Sequence, residues 1–371
     1  MLIFWIILFW TGIFSILLHY IIKREVEGIH RNTLIFISIL ICFFSLIFFA
    51  SMRSVVSDTM AYTNFYNQIP TDISKIFDYS KTMKKDTFFW IVSMLFKCFI
   101  SENYHVWFFA ITFICCILIA KSFTRYSSIP MLSTFMFILT CNFTWLFNGM
   151  RQFLAVCITF YALRYIIENS FVKYMLLIIV ASLIHSTAII MLPVFFIVKG
   201  DIGNKKVIFS MIVFTIIIVN LQNLLPIFDD LLSNTEYDNV ISQFAIDDGV
   251  NKIKILISLV PIILFIVFKN NYINEIPNYI KVIFNLTLMN LLITILGTFT
   301  SGIYVGRLTI YFEISQLLLY PWIFRNLLIG KNYYLIYPSY IVFYFIYYYY
   351  QMVITWDGFG YVSDVLNIYL R

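Results

Sequence analysis

The chain has 371 residues, of which 61% are hydrophobic, 20% aromatic and only 12% charged, with a formal net charge of +6 and a mean hydropathy of +0.89. Soluble domains carry about 25% charged residues, so soluble, disordered and fibrous classes are excluded. Nucleic-acid binding is excluded too, because no basic run is long enough and the aromatic residues lie inside apolar stretches. The apolar runs, such as Ile208–Leu221 and Leu335–Tyr350, are solid rather than alternating, so the expected fold is an all-α integral membrane protein and not a β-barrel. With about 20 residues per span, the length allows about ten to thirteen helices in a single polytopic domain covering residues 1–371.

In chain order, the first apolar run, Met1–Leu18, lacks a basic leader and a small-residue cleavage site and reads as a retained helix. Solid spans follow the hydropathy at 2–21, 33–51, 104–121, 130–147, 151–168, 207–226, 253–270, 279–300, 308–326 and 332–354. Residues 88–100 carry Lys97, and 172–198 are interrupted by His185, Ser186 and Thr187, so both segments are ambiguous. Charge decides between the options. If 88–100 lies flat and 172–198 folds as two short helices hinged near His185, then Lys121, Arg125, Arg164 and Lys173 share a side with Lys23, Arg24, Arg31, Lys199, Lys205, Lys206, Lys269, Lys281, Arg325 and Lys331. That arrangement follows the positive-inside rule and gives about twelve crossings with both termini outside. It leaves two sizeable outer loops, 52–103 and the acidic 227–252. The six cysteines lie in apolar stretches without CxxC spacing, so neither disulfides nor zinc are expected.

Ionisable side chains at membrane depth cost at least about 2.5–3.5 kcal/mol on insertion scales, which makes each one a functional candidate. Arg53 and Asp58 flank the exit of the second span; the plain alternative is a headgroup anchor and a cap for a helix starting at Thr59. Asn148-Gly-Met-Arg151-Gln152 opens an apolar helix, and a guanidinium beside a helix N-terminus suits a phosphate. A snorkelling Arg is the alternative. His185 can act as acid, base or neutral donor, or as a structural hydrogen-bonding group. Arg307 follows Gly302 and Gly306, which could equally serve helix packing. Glu313, nearly two turns deeper, reads as a buried partner for a cation. Tyrosine and phenylalanine residues crowd Tyr340–Tyr350, where core packing is the default and a lipid or sugar face the alternative.

All these groups fall at the outer ends of helices in the preferred topology. Arg53, Arg151 and Arg307 with His185 and Asp58 describe a polyanion site, most simply for pyrophosphate. There is no GxGxxG, P-loop or DxD pair, so the activated substrate is expected on a lipid carrier. No cofactor is expected, although Asp58 leaves room for a divalent metal.

At these residues the sequence resembles the EpsG/Wzy-type family of bacterial polysaccharide polymerases. The pieces are Arg53 with Asp58-Thr59 and Tyr62, Asn148-Gly-Met-Arg151-Gln152 with Ala155, Ala181-Ser-Leu-Ile-His185-Ser-Thr-Ala188-Ile189, and Arg307 leading Gly306-Arg-Leu-Thr-Ile-Tyr-Phe-Glu313. Their order and spacing cover roughly residues 45–315. The chain departs from the family in having Ser54-Val-Val-Ser57 where a Gly commonly precedes the Asp-Thr pair. The resemblance implies a multi-pass enzyme of the bacterial inner membrane, related in fold to lipid-dependent glycosyltransferases and acting on the outer face. It would move a growing glycan of exopolysaccharide or lipopolysaccharide from undecaprenyl pyrophosphate to the next lipid-linked repeat unit. His185 or Asp58 would act on the acceptor, Arg151 and Arg307 would clamp pyrophosphate, and Arg53, Gln152 and Asn148 would assist. Membrane lipids, a chain-length regulator and a flippase are the implied partners. An O-antigen ligase is the nearest rival, set back by the modest 227–252 loop. A lipid-linked oligosaccharide flippase or other transporter is set back by the lack of mid-span charge and of matching half-helices.

Overall fold

The computed structural model describes residues 1–25, 30–83, 86–220, 249–271, 275–302, 305–328, 330–355 and 360–370. The acidic part of the 227–252 loop lies outside the described residues. The protein is helical nearly throughout, as its apolar runs require. Six helices among the described residues are long and apolar enough to cross a membrane. They are α1 (Leu2–Glu25), α2 (Arg31–Ser51), α6 (Tyr104–Tyr126), α8 (Met150–Ile167), α12 (Ile253–Phe268) and α13 (Asn278–Phe299). α1 and α2 run antiparallel, with Trp10 Nε1 donating to the Ile41 carbonyl at 3.0 Å and Thr11 Oγ1 to that of Cys42 at 3.1 Å. α6 returns beside α2, its His105 Nδ1 2.9 Å from the Ser51 carbonyl oxygen.

Other expected spans are not continuous helices. The 130–147 segment is α7 (Pro130–Leu139), a reversal at Cys141 with φ +63°, and a 3-10 turn at Asn142–Leu146. The 308–326 segment starts with a 3-10 turn at Gly306–Thr309 and breaks between α14 (Ile310–Glu313) and α15 (Gln316–Asn326). In 172–198 the chain turns at His185. α9 (Phe171–Ile184) runs up, then a 3-10 segment (Ser186–Met191) and α10 (Val194–Ile197) run back beside it. Tyr174 Oη donates to the Met191 carbonyl at 2.6 Å, and the Phe171 ring lies 5.1 Å from that of Phe195. The segment is therefore a hairpin with His185 at its tip, as the charge pattern required. Its first arm, 14 residues, is only about 21 Å long. The 207–226 span is described as far as residue 220, in α11 (Lys205–Val219). The last long helix, α16 (Lys331–Tyr349), widens into a π turn at Tyr350–Thr355. Tyr340, Tyr344, Tyr347 and Tyr348 are buried, so this tyrosine cluster is mostly core. Tyr344 and Tyr320 share a 2.6 Å hydroxyl contact, and Tyr348 Oη donates to the Phe4 carbonyl at 2.7 Å.

Basic residues gather at one end of the bundle. Arg125 pairs with Glu168 at 2.7 Å, Lys199 bonds Asn169, Lys281 pairs with Asp201 at 3.0 Å, and Arg325 Nη1 donates to the Ser128 carbonyl at 2.9 Å. At the opposite end, the described residues of 52–103 form a helical cap. It comprises α3 (Thr59–Gln68), α4 (Ile76–Thr82) and α5 (Thr87–Phe99). α5 rests on the head of α6, with Trp90 stacked 6.4 Å from Trp107. Lys97 Nζ plugs the end of α3, donating to the carbonyls of Tyr66 (2.9 Å), Asn67 (2.9 Å) and Ile69 (2.7 Å). Nothing in the sequence pattern signals the C-terminal hairpin of β1 (Tyr361–Ser363) and β2 (Ile368–Leu370). It adds to the stretch after α2 through a bridge between Val55 and Val362.

Lys97 is the pin of this cap. Lys97→Met fills the space but takes the ammonium donor from three carbonyls, of which that of Tyr66 keeps the Ile69 N–H. It is expected to lower the stability of the detergent-solubilised protein by about 1–3 kcal/mol, read as a lower thermal midpoint; an unchanged midpoint would show that the pin carries no weight.

Candidate functional site

The site is organised around the start of α8. Gly149, its N-cap, has φ +80°, and a Cβ there would meet the Trp145 ring at 3.3 Å, so only glycine makes this entry without strain. The Gly149 N–H donates to Asp58 Oδ2 at 3.1 Å, and the Arg151 N–H to Tyr62 Oη at 3.3 Å. Helix α3 starts at Thr59 as expected, yet Asp58 makes no side-chain bond to its own helix. Its carboxylate instead lies against the positive end of α8. Two N–H groups that an anion could have used are thus already engaged by the protein.

Arg151 points the other way, toward a residue that sequence reasoning missed. Its Nη1 lies 3.0 Å from Asp86 Oδ2, and the same oxygen lies 3.1 Å from His185 Nδ1. Asp86 Oδ1 accepts from the Ser186 N–H at 3.4 Å. The Asp86 side chain is 1% exposed, against 14% for His185 and 25% for Arg151. Asp86 precedes α5 with φ +53°, which turns its side chain away from α5 and toward the hairpin tip. The Arg151 guanidinium also lies 5.4 Å from the Trp90 ring and 5.9 Å from that of Tyr62, and its buried Nε has no hydrogen-bond partner among the described residues. With Nδ1 directed at a carboxylate, the neutral His185 ring keeps Nε2 as its acceptor. The signal for Asp86 was present: Asp86-Thr87 opens a helix just as Asp58-Thr59 does.

Beyond the α8 start lies a polar cavity of about 160 Å3, lined among others by Asn142, Asn148, Lys254, Arg307 and Glu313. The Oδ1 atoms of Asn142 and Asn148 are buried without a hydrogen-bond partner among the described residues. Gln152 Nε2 donates to the Arg307 carbonyl at 3.2 Å, which ties this wall to α8. Thr187 Oγ1 meets Tyr311 Oη at 3.0 Å, tying the hairpin to α14. No carboxylate pairs with Arg307 among the described residues; Glu313 shares its cavity with both Arg307 and Lys254. Arg53 is placed differently from a ligand-binding arginine. It is completely buried, with Nε donating to Thr59 Oγ1 at 3.1 Å, Nη1 to the Ala50 carbonyl and Nη2 to Met150 Sδ at 3.5 Å. Its guanidinium covers the Phe108 ring at 4.1 Å. It joins α2, α3 and α8 and does not line the cavity. Among the described residues no group of three or more His, Cys, Asp and Glu could hold a metal, so a cation at Asp58 would have fewer than three such ligands.

The family model described as the EpsG family matches residues 35–363, most of the chain and every element of this site. No curated protein and no solved structure matches the chain.

The shared carboxylate makes Arg151 and Asp86 energetically dependent on one another. A double-mutant cycle with Asp86→Asn and Arg151→Gln, read by thermal or denaturant unfolding, is expected to give a coupling of about 0.5–3 kcal/mol. Additive effects would mean that the pair forms no ionic contact.

Proposed function

The chain belongs to the EpsG family, a family of Wzy-type polysaccharide polymerases, and is a multi-pass membrane protein. From that premise we propose that it extends a lipid-linked glycan at the outward end of its bundle, in the bacterial inner membrane. The acceptor hydroxyl oxygen attacks the anomeric carbon of the growing chain. The bond from that carbon to pyrophosphate breaks, undecaprenyl pyrophosphate leaves, and the acceptor proton passes to a base. Support for the outward orientation comes from the basic residues at the opposite end.

The observation that carries the reading is the pairing of Arg151 and His185 on Asp86, with the next residue of α8, Gln152, linked to Arg307. A reaction that expels pyrophosphate needs fixed positive charge where the leaving oxygens gather negative charge. Arg151 keeps donors beyond the one on Asp86, and Arg307 is free of any carboxylate pair among the described residues. His185, oriented through Nδ1, offers Nε2 to the acceptor hydroxyl. Among the described residues, the second carboxylate oxygen of Asp58 is left for the same task, and Asn148 supplies an acceptor without a partner for a sugar hydroxyl. Gln152 and Arg53 act by positioning: the first holds Arg307, the second the junction under Asp58. The carrier's apolar tail has a fitting path in a groove of about 730 Å3 between the returning arm of the hairpin, α11 and α13, which starts at Phe312 beside the site and ends at Lys205 and Lys206. Such a substrate must reach the outward leaflet by a separate flipping step.

In a deletion host re-expressing variants, Arg151→Ala and Arg151→Lys should each reduce long-chain polysaccharide by about 10²-fold or more at normal protein level. The lysine fails because a point charge cannot bond Asp86 and a phosphate with a planar fork. Single repeat units should accumulate on the outward face. Full-length glycan that stays lipid-linked would indicate a ligase, and repeat units held on the inner leaflet a flippase.

A further inference from the structure

The end of the bundle remote from the site holds a crevice that polymerisation does not use. Helix α1 presents Gly12, Ile16, His19 and Lys23 to it, a stripe at three- and four-residue spacing, opposite Phe135 of α7 and Tyr337 of α16. Its volume is about 480 Å3, within the range of about 300–1,000 Å3 typical of ligand pockets. Gly12 sets its width, since a Cβ there would meet the Phe135 ring at 3.1 Å. A second crevice of about 290 Å3 shares His19, Lys23, Ile129 and Met131 with the first and adds Arg31 and Arg325. Among the described residues, no Asp or Glu lines either one. Arg325 places one nitrogen on the Ser128 carbonyl, which fixes its guanidinium at the mouth.

An apolar slot between membrane helices, open at a cluster of three cations that meet no carboxylate among the described residues, has the two halves of a lipid: acyl chain and anionic head. We propose that this crevice binds an anionic phospholipid, with one acyl chain between α1, α7 and α16 and the phosphate at Lys23, Arg31 and Arg325. Guanidinium and ammonium groups at this depth meet the headgroup phosphates of their own leaflet. Tyr333 and Tyr337 beside the slot suit the same boundary. A zwitterionic lipid brings a positive group to a mouth where no described residue is a carboxylate that could receive it. The occupant would stiffen the packing of α1 against α7 and α16, far from Arg151.

The test is a native mass spectrometry titration of the full chain with dioleoyl phosphatidylglycerol, dioleoyl phosphatidylcholine and glycerol 1-phosphate. Wild type should bind phosphatidylglycerol selectively. Lys23→Ala/Arg31→Ala, which removes two exposed side chains and leaves the folded core intact, should weaken it about 10- to 30-fold. Lys173→Ala, on the same end but outside the crevice, should leave it unchanged. Equal binding of phosphatidylcholine, equal binding of glycerol 1-phosphate, or an equal loss with Lys173→Ala would each overturn the proposal. The first would show no headgroup selectivity, the second an ion site without a chain, and the third a general attraction to positive surface.

Discussion

One carboxylate oxygen holds the capped end of the bundle together. Asp86 Oδ2 accepts from Arg151 at 3.0 Å and meets His185 at 3.1 Å, so a single atom fixes the start of α8, the tip of the hairpin and the foot of α5. A charge this deeply buried is strongly unfavourable unless paired, and breaking such a pair leaves an uncompensated charge that costs about 3–5 kcal/mol. The segments that supply Asp86, Arg151 and His185 are therefore not independent. Asp86 can occupy that point because α5 is held down by Trp90 against Trp107 and by Lys97 on three carbonyls at the end of α3. The same α3 carries Tyr62 to the Arg151 N–H and follows the Asp58 that engages Gly149. Arg53 closes the circuit from beneath, completely buried between α2, Thr59 and Met150.

The second feature is where the backbone departs from regular helix. Breaks occur at Cys141, His185 and Ser315, and their flanking residues include Asn142 and Asn148, His185, and Arg307 and Glu313. Non-helical backbone inside a membrane is tolerated only where protein or a cavity can satisfy its polar groups. The broken spans face one another here, and the polar cavity of about 160 Å3 lies between two of them. Continuous helices such as α6 and α8 supply the rigid frame, and the irregular segments supply the polar groups. The division explains why the middle of most spans is bare of charge while the end that carries Asp86, Arg151 and His185 holds several ionisable groups.

Much of this was legible in the chain itself. Charge asymmetry alone required the 172–198 segment to turn at His185, since a single crossing would have put Lys173 and Lys199 on opposite sides; the structure brings Asn169 and Lys199 into contact. Asn148 to Gln152 stood out because a guanidinium at an outward helix start defies the usual bias. The breaks in 130–147 and 308–326 were invisible, because hydropathy reports how apolar a segment is and not whether its backbone is continuous. Asp86 was hidden for a related reason. Its partner His185 is 99 residues away, and an acid that follows lysines ahead of an amphipathic helix looks like a solvated cap. Arg53 was read correctly as unusual, but only the fold reveals that its donors all face protein.

The most direct test is a structure of the protein in a lipid nanodisc with undecaprenyl pyrophosphate. If Arg151 and Arg307 clamp the leaving group, the diphosphate lies between them at the start of α8, within hydrogen-bond reach of both guanidinium groups and beside His185. A diphosphate bound elsewhere on the bundle, with Arg151 and Arg307 both beyond reach, would contradict the assignment of this end as the reaction site.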